Sequence, residues 1–234
     1  MVSAPSGDNG RPGLTTTAFR NGGGAGSCKH GFSGTSAAAP VAAGVAGLVL
    51  SANAGLTYRD VMHIFVRAAF QSAPEDPSWG VNGGGLHHSH RFGFGTINAS
   101  RAVELARGWT NVGPEASWST GTVVVRQTAG RSAAVHSAVV VPTDLVVEWA
   151  EVEVVASVKR RGDLAITLQS PYGTVSKLAE AHSDANADIN WTYTSCRHWG
   201  EHSVGTWTLN VINEYNRVEA TLVSWKLTLY GTKA

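Results

Sequence analysis

Ser33-Gly34-Thr35-Ser36-Ala37-Ala38-Ala39-Pro40, continued by Val41-Ala42-Ala43-Gly44, is the stretch on which the reading of this chain turns. A glycine-led turn delivers Ser36 onto the start of a long run of small residues. A serine at a helix start has unpaired backbone N–H groups beside it and the positive end of the helix dipole behind it. These are the parts that stabilise an oxyanion during acyl transfer. The same place suits a serine that only caps the helix, since its oxygen accepts from the free N–H groups. The apolar run from Ala37 to Leu50 counts 14 residues, short of the roughly 20 that cross a bilayer, so no membrane segment is expected. It predicts instead a buried core helix from about Ser36 to Asn53, stopping at Gly55, with alanines and glycines that let neighbouring backbone approach closely.

Working outward, Thr57-Tyr58-Arg59-Asp60 has the spacing of a helix N-cap with an acid three residues on. It opens a second helix in which Val61, Ile64, Phe65 and Ala68 recur at helical spacing, ending near Ala69. His63 in that helix is read as a partly buried structural histidine. Asn98 is a plausible N-cap for a third helix carrying Ala102, Val103, Leu105 and Ala106. Residues 70–91 between them read as loop, with Pro74, Pro77 and Gly83-Gly84-Gly85, and end in His87-His88-Ser89-His90. Those histidines form no i, i+4 helical pair and have no cysteine or carboxylate nearby, so no zinc site and no other metal ligand set is expected. Residues 1–34 read as loop and edge material, with Leu14-Thr15-Thr16-Thr17 as one short strand and Asn21-Gly22-Gly23-Gly24 as a flexible break. His30 lies in a glycine-flanked loop, which does not hold a general base in hydrogen-bond geometry.

After Trp109 the apolar period changes from 3.6 to 2, and the seam between two domains is placed near 110–118. Ala150, Val152, Val154, Ala156 and Val158 alternate with polar or smaller neighbours; so do Leu164, Ile166 and Leu168; Trp207, Leu209 and Val211; and Val223, Trp225, Leu227 and Leu229. Turn signals at Arg161-Gly162-Asp163 and Ser170-Pro171-Tyr172-Gly173 separate the runs. This half therefore reads as an antiparallel β-sandwich or jelly roll without a helix. The formal charge of +1 and pI near 7.9 supply no basic stripe of the kind a nucleic acid needs. The N-terminus has neither a basic nor an apolar region of a signal peptide. Cys28 and Cys196 could pair, stay free, or each pair beyond this chain. Asn98-Ala99-Ser100 and Asn190-Trp191-Thr192 are acceptor triplets for N-glycosylation, so Asn98 and Asn190 are candidate sites; a capping role for Asn98 would hinder a glycan there.

The string from Gly34 to Gly44 resembles the nucleophile segment of the subtilisin-like serine proteases. Together with the β domain it is similar to their kexin/furin branch, the proprotein convertases. Leu56-Thr57-Tyr58-Arg59-Asp60-Val61 with His63 resembles the helix after the nucleophile in that branch. Ser89-His90-Arg91-Phe92-Gly93-Phe94-Gly95 with Ile97-Asn98-Ala99 resembles the end of its catalytic domain, which implies a structural role for His90. Arg161-Gly162-Asp163-Leu164 with Leu168, Ser170-Pro171 and Gly173-Thr174 resembles a hallmark of its P (Homo B) domain, and Leu227 to Thr232 that domain's last strand. The tripeptide Arg161-Gly162-Asp163 could also be an integrin-binding motif, against which the family reading makes it a turn between strands.

The resemblance implies an α/β subtilisin-like catalytic domain, present here as its C-terminal part over 1–110, followed by an all-β jelly-roll P domain over 111–234. It implies a serine endopeptidase that cleaves secretory precursor proteins after basic residues, with Ser36 as nucleophile and its own N–H as one oxyanion donor. It also implies structural calcium, residence in the secretory pathway, and an aspartate, a histidine and an oxyanion asparagine that precede the serine. Those three, and most calcium ligands and basic-selecting acids, would lie upstream of Met1, so this chain alone is expected to be inactive. Phe32 departs from the family, which commonly has His there. The rival expectation is a catalytically incomplete or non-enzymatic P-domain module that binds or stabilises another protein.

Overall fold

The computed structural model describes residues 1–7, 10, 12–18, 27–130, 133–215 and 219–234. The glycine break expected at 21–24 lies outside the described residues. The chain divides into two compact units, one of residues 1–79 and 91–112, the other of 80–90 and 113–234. Residues 80–90, placed by their sequence position within the stretch 1–110, therefore cluster with the second unit.

The first unit holds β1 (Leu14–Ala18) paired antiparallel to β2 (Ser27–Phe32), and three helices, α1 (Thr35–Ala52), α2 (Tyr58–Ala68) and α3 (Ala99–Arg107). β1 includes the expected short strand; β2 was read as loop, because a six-residue stretch with two glycine-flanked polar residues carries no period-2 signal. α2 begins at the capping box: Thr57 Oγ1 accepts from the Asp60 N–H, and Asp60 accepts from the Thr57 N–H at 2.7 Å. Asp60 is fully buried and also accepts from Trp109 Nε1 at 3.0 Å and the Val112 N–H at 2.7 Å. Burial pushes its pKa up, but these hydrogen bonds outweigh that and leave it below the ordinary carboxylate value. α3 starts where Asn98 Oδ1 accepts from the Arg101 N–H at 3.0 Å. His63 is buried, with its ring 6.4 Å from that of Trp109.

Two expectations for the long helix need correcting. α1 has 18 residues, and by length and composition alone it is long and apolar enough to cross a membrane. The 14-residue count missed this because the flanking Thr35, Ser36 and Ser51-Ala52 continue the helix. Nor is α1 buried all round: Ala37, Val45 and Val49 are buried, while Leu48 and Leu50 are exposed, since α2 and α3 cover only one side of it.

The second unit is two antiparallel sheets. One runs β10-β9-β12-β7, built from β10 (Val175–Ala179), β9 (Leu164–Gln169), β12 (Gly205–Asn213) and β7 (Val135–Val141). The other runs β11-β8-β13-β5, built from β11 (Ile189–Ser195), β8 (Leu145–Val158), β13 (Ala220–Lys233) and β5 (Glu115–Ser119), with β6 (Val123–Ala129) also on β13. Each alternating run read from sequence turns one face inward: Ala150, Val152, Val154, Leu164, Ile166, Leu168, Trp207, Leu209, Leu227 and Leu229 are all fully buried. The buried indoles of Trp207 and Trp225 are satisfied, Trp207 Nε1 donating to the Ser203 carbonyl at 2.9 Å and Trp225 Nε1 to Ser137 Oγ at 2.8 Å.

Arg161-Gly162-Asp163 forms a single 3-10 turn between β8 and β9, with Gly162 and Asp163 buried. Asp163 is 2% exposed, so the tripeptide is not presented as a loop tip and the integrin reading fails. The stretch 70–91 is not all loop: β3 (Gly80–Val81) pairs with β4 (His87–His88).

Candidate active site

Gly34, not Ser36, is the N-cap of α1, and no side chain caps this helix. That removes the capping explanation for Ser36. The Ala37 and Ala38 N–H groups turn back onto the Gly34 carbonyl at 3.0 and 3.3 Å. Ser36 is then the second helical residue, where helix geometry leaves its own N–H without an intrahelical acceptor. It is exposed, so its hydroxyl is presented to solvent at the positive end of an 18-residue dipole.

The turn that does this needs glycine. Gly34 has φ 76° and ψ −174°, a region open in practice to glycine alone. A Cβ there would meet no atom within 4 Å, so the requirement is conformational and not steric. The turn is anchored by the Gly34 N–H to the Gly7 carbonyl at 3.0 Å and by Ser6 Oγ to the Gly34 carbonyl at 2.8 Å. Pro40 follows within the helix and has no N–H to give the Ser36 carbonyl. Beside the turn is a cavity of about 470 Å³ whose lining includes Ser3, Ser6, Gly34, Thr35 and Ala38, with Ser36 outside it.

Residues 91–95 of the motif at 89–95, and Thr96 after them, serve this unit by close backbone approach. Thr96 bridges both Ser3 and Phe70, and Gly95, at φ 121°, has the Phe70 carbonyl oxygen where a Cβ would stand. His30, in β2, has its Nδ1 3.0 Å from Thr15 Oγ1.

The structure does not gather the remaining sequence candidates at Ser36. Cys28 is exposed and Cys196 half-buried, and both are free thiols. Asn98 spends its side-chain oxygen on the α3 cap, whereas Asn190 is exposed on β11. Among the described residues no three His, Cys, Asp or Glu side chains group as a metal cage would need. No carboxylate cage for the calcium implied by resemblance is therefore shown there.

The three clustered histidines belong to the second unit and to structure. His88 Nδ1 accepts from Arg197 Nη1 at 2.7 Å; burial first, then the Arg197 charge, pushes its pKa down to about 4. His90 Nε2 accepts from the Lys177 N–H at 3.3 Å and is likewise lowered to about 4, chiefly by desolvation.

Sequence reasoning missed Asn82 and Glu201, which hold the β3–β4 hairpin. Asn82 Nδ2 donates to the Arg197 and Trp199 carbonyls at 2.9 and 2.8 Å, and its Oδ1 accepts from the Gly84 and Leu86 N–H groups at 3.0 and 2.9 Å. Buried Glu201 accepts from the Gly83 N–H at 2.8 Å and from Thr174 Oγ1. An Asn-Gly turn between Val81 and Leu86 was the available signal for the hairpin. Its partners lie 115 and 117 residues away, and no local pattern reports them.

Comparison with known proteins agrees with this geometry. The Subtilase family profile matches residues 2–95 and the Proprotein convertase P-domain profile residues 147–229. Protease KEX1 of Kluyveromyces lactis is 36% identical over 215 residues, covering 87% of this chain and 28% of that protein. Furin of Mus musculus is 35% identical over 237 residues, covering 97% of this chain and 29% of furin. The chain thus spans under a third of the length of these relatives. In fold it resembles the serine protease of Aeromonas sobria, with TM-score 0.79 over 87% of this chain and 45% of that one, at 23% identity. A subtilase segment with a partial α/β fold, joined in one chain to a β-sandwich P domain, places this protein in the kexin- and furin-like branch of the subtilase family.

Proposed function

We propose that this chain contributes the nucleophile of a serine endopeptidase that cleaves secretory precursor proteins after basic residues, with 1–110 as the C-terminal part of the catalytic domain and 111–234 as the P domain. The observation that carries the reading is Ser36 itself: exposed, second in α1, behind a glycine-only turn, with its own N–H free. Ser36 Oγ attacks the scissile carbonyl while a histidine takes its proton. The tetrahedral oxyanion is held by the Ser36 N–H at the helix N-terminus, the amine leaves with that proton, and water hydrolyses the acyl-enzyme. In this reading the histidine and its orienting aspartate precede the serine in the chain, as the resemblance implies. Basic-site specificity, calcium dependence and residence in the secretory pathway rest on the same resemblance.

A serine-reactive fluorophosphonate probe tests this. The 234-residue chain is expected to stay unlabelled, and a protein in which the same chain follows a segment supplying the histidine and aspartate is expected to label, with loss in Ser36→Ala. Absence of labelling in that longer protein overturns the nucleophile assignment, and labelling of the short chain overturns the dependence on the preceding residues.

The second reading, a binding or stabilising module, is favoured by one observation. The second unit has a continuous core of its own, running from Ala129 to Leu229 through both sheets.

A further inference from the structure

The sandwich is open at one edge. On β11, Trp191 stands opposite Val154 and Tyr193 opposite Val152. Directly opposed residues share a face, and both valines are fully buried, so Trp191 and Tyr193 occupy the core-facing side. Tyr193 does pack against the core, yet Trp191 is 65% exposed. β11 and β10 are each the edge strand of their own sheet. Ser176 of β10 and Ser195 of β11 join across that edge by a buried 2.7 Å hydroxyl–hydroxyl hydrogen bond. Toward Trp191 the two strands part around a cavity of about 290 Å³, whose walls include Ile189, Trp191, Tyr193, Arg161, His182 and Asp184.

The polar wall is built in advance. Arg161 Nε donates to Asp184 Oδ2 at 2.7 Å, and Asp184 Oδ1 accepts from the Asn186 N–H and Nδ2 at 2.9 and 2.7 Å. The Asn186 N–H first, then Arg161, holds the Asp184 pKa down to about 2. The loop is tied back by the His182 N–H to the Gly162 carbonyl at 2.8 Å. His182 Nδ1 donates to the Glu180 carbonyl at 2.8 Å, and its Nε2 lies 4.0 Å from Asp184.

Charge and shape then select the ligand. A cation would meet the Arg161 guanidinium and an anion the Asp184 carboxylate, because the two charges stand 2.7 Å apart in the same wall. A purely apolar group would leave the Arg161 and His182 nitrogens unmatched. What fits is a neutral ring with one apolar C–H face for the exposed indole and hydroxyls that both donate and accept. The volume is at the lower end of ligand pockets, room for a ring or two. We propose that this opening binds a neutral saccharide, a pyranose lying against Trp191 with its hydroxyls on Arg161, Asp184 and His182.

The test is titration of the full chain with neutral trisaccharides (chitotriose, mannotriose and cellotriose) up to about 10 mM, a range that reaches affinities of a few kcal/mol. Calorimetry reads binding, with a sulfated trisaccharide and an arginine tripeptide as charged comparators. At least one neutral trisaccharide is expected to bind. Trp191→Ala should weaken it about tenfold or more, and Trp191→Phe should keep most of the affinity, as an aromatic platform predicts. Trp191 is largely exposed, so both variants should melt as the parent does. Asn190 borders the cavity, whereas Thr192, the last residue of its acceptor triplet, does not; binding should persist in Thr192→Ala, which excludes a glycan of the chain's own as the occupant. No binding by any neutral trisaccharide, equal binding by Trp191→Ala, or tighter binding of either charged probe overturns the proposal.

Discussion

The two units reach order by different means. The second buries a face of nearly every strand: Trp207, Leu209, Ile166 and Trp225 are at most 1% exposed, and the sheets cover each other. The first covers α1 on one side only, leaving Leu48 54% and Leu50 41% exposed. What it lacks in packed area it meets with polar hubs, above all Asp60 with hydrogen bonds from Thr57, Trp109 and Val112. A sheet pair brings its own second layer, whereas a long helix needs other elements around its whole circumference before all its apolar surface leaves water.

Equal truncations in the two units should therefore differ most. Leu209→Ala is expected to destabilise the second unit by about 2–5 kcal/mol, and Leu48→Ala to shift the first by less than about 0.5 kcal/mol. Denaturant titration followed by tryptophan fluorescence measures both, and equal effects would break the contrast.

Polar hubs should level the two units. Asp60→Ala strands the Trp109 and Val112 N–H groups, and Asn82→Ala strands those of Gly84 and Leu86, for about 2–3 kcal/mol each. Calorimetric melts check this, and a much smaller loss at Asp60 would show that the first unit does not depend on its hub.

Acid should separate them again. His88, His90 and His198 are held near pKa 4, below the unfolded value of about 6.5, so the unfolded chain binds more protons between those values. The second unit's stability is full above about pH 6.5 and falls as pH drops toward 4, by up to about 1.4 kcal/mol per pH unit for a buried histidine such as His198. Asp60, whose pKa is lowered, stabilises the first unit above the unfolded carboxylate value near 3.9 and loses that only in stronger acid. Melts from pH 7 to 4 are expected to lower the second transition first; the reverse order would refute this.

The last effect is local. Gly34→Ala should cost about 1–3 kcal/mol in the first unit through its φ of 76°, without a clash, and should misplace Ser36. In a longer protein that labels, this variant is expected to slow fluorophosphonate reaction more than it lowers the melting temperature; unchanged labelling would show that the turn does not position Ser36.

Much of this was legible in the chain. The period-2 runs at Ala150–Val158, Leu164–Leu168, Trp207–Val211 and Val223–Leu229 all fall in strands, because alternation is a local consequence of a sheet with one buried face. Thr57-x-x-Asp60 and Asn98 mark helix starts for the same reason: a cap is satisfied within four residues. What the sequence by itself determined was this set of locally satisfied elements. Only the tertiary structure decided that residues 80–90 pack with the second unit, through Asn82 bonds to Arg197 and Trp199; that Trp191 faces inward yet lies open; and that Gly34 rather than Ser36 caps α1. The first two depend on groups far apart in the chain, and the third on a backbone angle that residue identity permits but does not impose.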